Sequence, residues 1–197
     1  MFGALTQSTG AVTFVISGLV AAGALTLERA LPMLSWANVG TSALVLLGAA
    51  TLDPACAKAD GSSPKTQQFS AIPPNCLEDG KTYTAIIETN QGTLHVTLRN
   101  DIAPVTVNSF VNLARFHYFD GTTCHRAIQG FVVQCGDPTA TGTGGPGYEI
   151  PDEFEKIEPY QIGSIAMANT GRPNTGGSQF FIITGPNGAA LPPQYTL

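Results

Sequence analysis

The ionisable residues of this 197-residue chain are distributed so unevenly that it divides into a greasy N-terminal part and a water-soluble C-terminal part. Residues 1–58 hold only Glu28, Arg29, Asp53 and Lys58, and the other nineteen charged residues lie in the remaining 139. Met1–Leu27 and Ala30–Leu52 carry no charge at all. The chain therefore reads as an apolar segment over 1–52, a linker over 53–80 and a water-soluble domain over 81–197. The mean hydropathy of +0.12 excludes a chain disordered throughout. A net charge of -5 with no basic block argues against a nucleic-acid partner. With 22 Gly and 14 Pro, turns and loops are expected rather than a helical bundle.

Residues 11–27 (AVTFVISGLVAAGALTL), with the uncharged residues before them, reach the roughly 20 residues that cross a bilayer. Residues 43–50 (ALVLLGAA) form a second, shorter apolar run, the end of a weak span or the apolar part of a signal sequence. Met1–Leu27 has no Lys or Arg, so the basic start of a signal peptide is missing, and the positive-inside rule has almost nothing to act on because Arg29 sits beside Glu28. The expectation is an apolar helical segment that anchors the chain in a membrane or exports it, with the folded domain outside the cytoplasm. A buried Gly/Ala-rich hairpin, or a start site misplaced ahead of the true protein, stands as the alternative.

The segment from Asp53 to Asp79 is rich in Ser, Pro, Ala and Gln and follows neither helical nor strand periodicity. Cys56 and Cys76 bracket it, twenty residues apart, without metal-ligand spacing. A disulfide between them is expected if the segment lies outside the cytoplasm, stabilising by about 3 kcal/mol in the chain-entropy model. A lipid anchor on Cys56 is disfavoured by the Asp and Pro of the preceding Leu52-Asp53-Pro54-Ala55.

Tyr83–Thr89 and Thr93–Leu98 read as strands joined by Asn90-Gln91-Gly92. Pro104 opens a helix in which Val107, Phe110, Val111 and Ala114 form one stripe. Thr122–Asp137 reads as a hairpin turning at Gln129-Gly130, followed by a Gly-rich loop over Asp137–Gly147 that lacks the Lys-Ser/Thr of a phosphate loop. Ile162–Ala168 and Ser178–Thr184 are two further strands. Many strands, one clear helix and glycine-rich connections point to a mainly β domain, a closed or nearly closed antiparallel barrel with a capping helix.

Three polar residues within these strands stand out. A tight turn makes Arg126 and Gln134 near cross-strand neighbours. Alternation puts Gln179 and Phe181 on one face, with Phe180 and Ile182 on the other. One face would then carry a cation, two amides and aromatic surface. The plainer alternative is that these are outward-facing polar residues of a barrel.

The words around them settle on a family resemblance. His125-Arg126-Ala127-Ile128-Gln129-Gly130-Phe131-Val132-Val133-Gln134-Cys135-Gly136-Asp137, Met167-Ala168-Asn169-Thr170, Asn174-Thr175-Gly176-Gly177-Ser178-Gln179-Phe180-Phe181-Ile182 and Ala103–Phe110 resemble, in order, segments of the cyclophilin-type peptidyl-prolyl cis–trans isomerases. The resemblance runs from about Lys81 to Leu197. The shortened loop Gly142–Tyr148 and the segment DGSSPKTQQF resemble exported bacterial members, notably actinobacterial ones.

The resemblance implies catalysis of rotation about X–Pro bonds in proline-containing polypeptides, without metal or cofactor, with Arg126 as the catalytic residue. It implies that Phe131, Val132, Phe181 and Leu191 form an apolar pocket for the proline ring. Gln134 and the Asn169 backbone would hold the substrate's peptide groups, and Ala168, Thr170 and Gln179 would line an adjoining groove. Tyr195 stands where many members have His, Val132 where Met is common, and Ala190 where many eukaryotic members have Trp, which argues against cyclosporin-type inhibitors. Family members continue past the position of Leu197 into further strands and a helix, so an open edge and low stability are expected of a domain ending there. A weakly active X–Pro peptide-binding module of the same fold is the alternative function, and an integral-membrane structural protein built around residues 1–52 the least supported. Strand parity places Cys124 and Cys135 on opposite sides of the hairpin, so they are expected to be unbridged.

Overall fold

The computed structural model describes residues 55–197 apart from Ile157. The expected membrane segment over 1–52 lies outside the described residues. Among those described, no helix is long and apolar enough to cross a membrane.

Strands β1 (Tyr83–Thr89) and β2 (Gly92–Leu98) pair antiparallel, with Thr89 opposite Gly92 across a two-residue loop. The Thr89 hydroxyl closes this turn, donating to the Gly92 carbonyl at 2.7 Å and accepting from the Gln91 N–H at 3.0 Å. Helix α1 (Pro104–Arg115) follows, with proline in its first turn where the missing N–H costs nothing. Four shorter strands then form a second antiparallel sheet: β3 (Arg126–Ala127), β4 (Val132–Cys135), β5 (Ile165–Met167) and β6 (Phe180–Ile183), in spatial order β3-β4-β6-β5. A one-turn helix, α2 (Pro186–Ala189), comes after β6. The fold is mainly β with few helices. The described strands form two sheets without a hydrogen-bonded edge between them, where the sequence reading expects a closed or nearly closed barrel with an open edge at its C-terminal end. The strands are also shorter than their apolar runs, because loops claim the ends: Gly163 N–H bonds the Ile183 carbonyl and Met167 N–H that of Thr196.

The four-stranded sheet has two differently occupied faces. Cys135, Met167 and Phe180 point to one side and pack with Ile150, Phe110, Phe119 and Ile87. Phe110, Phe119 and Phe180 meet there, with ring centroids 5.0–5.9 Å apart. Val132, Ala166, Phe181 and Ile183 point to the other side and pack with Tyr160, Phe131, Leu191 and Tyr195.

The segment read as a linker is packed onto α1. Val107 and Val111 of the expected stripe are buried, Phe110 is half-buried and Ala114 is exposed, but α1 also buries Asn108, Ser109, Asn112 and Leu113. Asn108 and Asn112 lie one turn apart, on one face. The Asn112 side-chain oxygen accepts from the Ala57 N–H at 2.7 Å. The Asn108 side chain accepts from the Cys76 N–H at 2.7 Å and donates to the Pro74 carbonyl at 2.9 Å. Both ends of the segment thus bond to the helix, and the Cys56–Cys76 disulfide joins them, Cα to Cα 5.4 Å. Its middle is held by Phe69, buried with Leu113, Phe116 and Tyr118. His117, left-handed at φ 56 after α1, contributes one ring nitrogen to the Gly61 carbonyl and the other to Asp120, both at 2.8 Å. Both partners accept, so the doubly protonated ring suits them and the His117 pKa is raised, by the Gly61 carbonyl first and Asp120 next.

A strap docked in this way gains its order from Phe69. Phe69→Ala is expected to destabilise the full chain by about 3–5 kcal/mol, the usual cost of an aromatic truncation in a core. Urea unfolding followed by circular dichroism measures it. A change below about 1 kcal/mol would show that the strap lies on the domain without supporting it.

Candidate active site

Cross-strand register assembles the site. Arg126 on β3 faces Gln134 on β4, Gln134 faces Phe181 on β6, and Phe181 faces Ala166 on β5. Residues in register share a face, so this row crosses all four strands on the side away from α1. Gln179, two residues before Phe181, adds a second amide to the same side.

The polar part of the row has one consistent orientation. A guanidinium only donates. The Arg126 Nη1 donates to the Gln134 Oε1 at 3.4 Å, which turns the Gln134 Nε2 toward the Gln179 Oε1, at 2.9 Å. The Gln179 Nε2 then donates to the carbonyls of Gly142 and Gly144, at 3.0 and 2.9 Å. The cation ends a chain of aimed amides anchored in the glycine-rich loop.

The apolar part adjoins it. The Arg126 guanidinium carbon lies 5.7 Å from the centroid of the Phe131 ring. Phe131, Leu191 and Tyr195 are half-buried against Val132 and Phe181, and Phe181 meets Tyr195 edge-on at 5.1 Å. Val132 is only 2% exposed, so it forms the floor beneath this surface. Leu191 reaches it because α2 folds over the Ile128–Phe131 turn: Thr184 N–H bonds the Phe131 carbonyl at 2.9 Å. Gly185 makes that approach possible, since a Cβ there would overlap the Gly130 backbone.

Asn169 joins the loop after β5 to the C-terminal segment, its Nδ2 donating to the Gln194 carbonyl at 3.0 Å. Thr170 is exposed, and its N–H donates to the Thr175 hydroxyl at 3.0 Å. Ala168 is half-buried against the apolar cluster, its N–H bonded to the Gln179 carbonyl at 3.0 Å. The structure thus places all eleven expected residues along one side of the sheet and its flanking loops.

Three supporting residues escape a sequence reading. Tyr160 donates to the Tyr195 carbonyl at 2.6 Å and accepts from the Tyr195 N–H at 2.9 Å, fixing that ring against Phe181. Nothing local in the sequence marks it. Tyr118, fully buried, meets the Ser178 hydroxyl at 2.8 Å, and Ser178 donates to the Gly136 carbonyl at 2.7 Å. This ties the end of β4 to the start of β6 directly below Gln179. Burial pushes the Tyr118 phenol up to about 12, with the Ser178 hydrogen bond working the other way. Gly136 is required there: its φ is 88°, and a Cβ would collide with the Ser178 carbonyl.

Asp137 is the third. Its fully buried carboxylate accepts from the N–H groups of Thr139, Thr141, Gly142 and Gly144 and from the Thr139 hydroxyl. Burial raises its pKa, but the Thr139 hydroxyl and N–H, then Gly144 and Gly142, outweigh burial and hold it well below the usual carboxylate range. Asp137 thus shapes the loop whose carbonyls orient Gln179. The Asp at the head of a glycine-rich run is the only sequence signal for it.

Cys124 and Cys135 are disulfide-bonded, with Cα atoms 4.0 Å apart, contrary to the expectation from strand parity. Alternation applies only within a paired strand, and β3 begins at Arg126, two residues after Cys124. Cys124 is therefore free of the pleat and reaches Cys135 from the loop. Among the described residues, no group of three or more His, Cys, Asp or Glu is placed to hold a metal ion.

Residues 84–197 match the family model described as cyclophilin type peptidyl-prolyl cis-trans isomerase/CLD, and residues 1–59 match a model described as Na+/Pi-cotransporter. A peptidyl-prolyl cis-trans isomerase of Synechococcus elongatus is 50% identical over 102 residues, covering 52% of this chain and 69% of that protein. The probable peptidyl-prolyl cis-trans isomerase B of Mycobacterium tuberculosis is 47% identical over 124 residues. The match covers 55% of this chain and 39% of that protein, so the chain spans about two fifths of its length. Among solved structures, a Cryptosporidium parvum cyclophilin-type isomerase aligns with a TM-score of 0.55 at 34% identity, covering 59% of this chain and 75% of that one. The same protein solved in the presence of the dipeptide Ala-Pro aligns at 0.54.

Because the folded Asp137 pKa is depressed, its hydrogen bonds stabilise the fold above the ordinary carboxylate pKa of about 4, and that stability is lost as pH falls through the lower folded value. Asp137→Asn is expected to cost about 1–3 kcal/mol at neutral pH, by facing an amide N–H₂ to bound donors, and to flatten the acid limb of stability against pH. Thermal melts between pH 2 and 7 measure both. An acid limb unchanged by the substitution would remove Asp137 from this role.

Proposed function

The chain belongs to the cyclophilin-type peptidyl-prolyl cis–trans isomerases, and we propose that it accelerates rotation about X–Pro bonds of polypeptides, with Arg126 as its catalytic residue. The carrying observation is the aimed cation beside an apolar surface: Arg126, oriented by Gln134, lies next to the ring of Phe131. The Ala-Pro dipeptide named with the Cryptosporidium parvum structure supports a proline-containing partner.

The physical problem is the partial double bond of the X–Pro amide, with a barrier of about 18–20 kcal/mol. In the twisted state conjugation is lost and the lone pair localises on the proline nitrogen. A guanidinium N–H donating toward that nitrogen binds the twisted state more strongly than the planar one, which is the condition for catalysis. Arg126 has five N–H donors, one of them engaged by Gln134, so the group can be held and still donate. The proline ring sits on Phe131, Phe181 and Leu191 above Val132, with Tyr195 at its edge. Gln134 and the Asn169 backbone hold the flanking peptide groups, and Ala168, Thr170 and Gln179 line the groove beyond. No proton is transferred and no covalent bond forms. Shortening the process from tens of seconds to milliseconds takes about four decades, or roughly 5–6 kcal/mol.

Residues 1–52 serve in this reading as a membrane anchor or export segment, with the domain outside the cytoplasm. The charge-free stretches and the match of residues 1–59 to the cotransporter family model support the anchor. Two disulfides suit an oxidising compartment.

Arg126→Ala is expected to lower kcat/KM at least 100-fold, in line with losing roughly 3 kcal/mol of charge-assisted stabilisation. Arg126 is exposed, so the melting temperature should hardly move. A protease-coupled X–Pro assay on the full chain measures the first and a thermal melt the second. Unaltered turnover would remove Arg126 from the mechanism.

A further inference from the structure

We propose that the strap and the glycine-rich loop together build a subsite that selects a lysine or arginine side chain flanking the X–Pro bond, with Gln68 forming its wall and Glu149 supplying its charge. The inference rests on the isomerase reading of the same site and names the substrate class it favours.

A cleft of about 670 Å³ runs on from Gln134 and Gln179, past Ala168 and Asn169, to the loop Gly142–Glu149. Gln68 lines it too, although it precedes the residues 84–197 that match the family model. The strap delivers Gln68 there by a chain of fixed contacts. Phe69 is buried, and its N–H donates to the Pro146 carbonyl at 2.8 Å. The Gln68 Nε2 donates to the Gly145 carbonyl at 3.0 Å. The Phe69 carbonyl passes so close to Gly147 that a Cβ there would overlap it. The Cys56–Cys76 disulfide and the Asn108 and Asn112 hydrogen bonds hold the strap's two ends. A wall of the substrate cleft is thus supplied from outside the matched domain.

Glu149 is the one carboxylate of the cleft, and no Lys, Arg or His is among the described residues that line it. Two cations touch the lining from outside, Arg126 donating to Gln134 at 3.4 Å and Arg172 to Thr170 at 3.5 Å, so a cationic ligand is favoured only at the Glu149 end of the cleft. The remaining lining is amide, hydroxyl, glycine backbone and a few apolar groups. Glu149 is exposed at the rim, so its field reaches a ligand without the cost of a deeply buried ion. The carboxylate attracts an ammonium or guanidinium and repels a Glu or Asp side chain. An extended chain advances about 3.3–3.6 Å per residue, so a side chain within two or three residues of the proline reaches a cleft that begins at Gln134 and Gln179.

The test uses blocked peptides with a single Ala–Pro bond and Lys, Ala or Glu at each of the two positions before the alanine and the two after the proline. Exchange NMR on the full chain reads isomerisation without a coupling protease, and shift titration reads affinity independently. At one position, Lys should exceed Glu about threefold to fivefold in both, the range of a solvent-accessible ion pair, and 0.5 M salt should shrink the ratio. Glu149→Gln should bring that ratio toward one, and Glu149→Lys should invert it. Gln68→Ala should raise KM for the preferred peptide about threefold while kcat holds. Equal affinity for Lys and Glu at every position, or a preference that Glu149→Gln leaves intact, overturns the inference. Lys preference in binding without isomerisation sinks the catalytic reading instead and leaves the subsite standing.

Discussion

Antiparallel register is the constraint on which the rest depends. A single row, Arg126–Gln134–Phe181–Ala166, crosses four strands, none longer than four residues. Because side chains alternate with a period of two, slipping any strand by one residue would turn its member of the row to the opposite face. Gln134 would then enter the aromatic core around Phe180 with an unpaired amide, and Phe181 would leave the apolar surface beside Phe131. The same register therefore sets both the core and the candidate site. Strands this short do not hold register through their own ladders alone. The ties at their ends do so: Tyr118 and Ser178 between β4 and β6, and Tyr160 with the C-terminal segment across β5 and Tyr195.

The strap solves a different problem. Its residues form no helix or strand of their own, so its backbone groups need acceptors and donors elsewhere. Asn108 and Asn112 supply them from α1, one turn apart, at the points where the disulfide draws the strap's ends together. Buried asparagines in a helix interior are a poor choice for helix propensity, and here their role is to satisfy a neighbouring chain. The strap then carries this order onward to the glycine-rich loop, through Phe69 and Gln68.

Legibility followed the range of the interaction. The first hairpin, the start of α1 and the Gln129-Gly130 turn depend on neighbouring residues and were readable from them. So were the nearness of Arg126 to Gln134 and the two faces of the strand holding Gln179, since a tight turn and period-2 alternation are local, but that Gln179 shares their side depends on the pairing of β4 with β6. Strand parity fails for Cys124 and Cys135 because Cys124 lies two residues before the start of β3, outside the pleat. The strap has the composition of a linker, and its order comes from partners about 30 to 80 residues away. Tyr160 and Asp137 are illegible in the sequence for the same reason: each acts through hydrogen bonds that no local pattern records.

By itself, the order of residues determined the division between apolar and solvated regions, the two hairpins and the alternation of faces within each strand. These follow from periodicity, turn chemistry and the cost of burying charge, all of which act over a few residues. Only the tertiary structure decided the direction of each amide in the Arg126–Gln134–Gln179 chain, the pairing of Cys124 with Cys135 and the reach of Gln68 into the cleft. Those depend on where separate segments meet, and hydrogen bonds and disulfides, unlike hydrophobic burial, are made or lost over a fraction of an ångström.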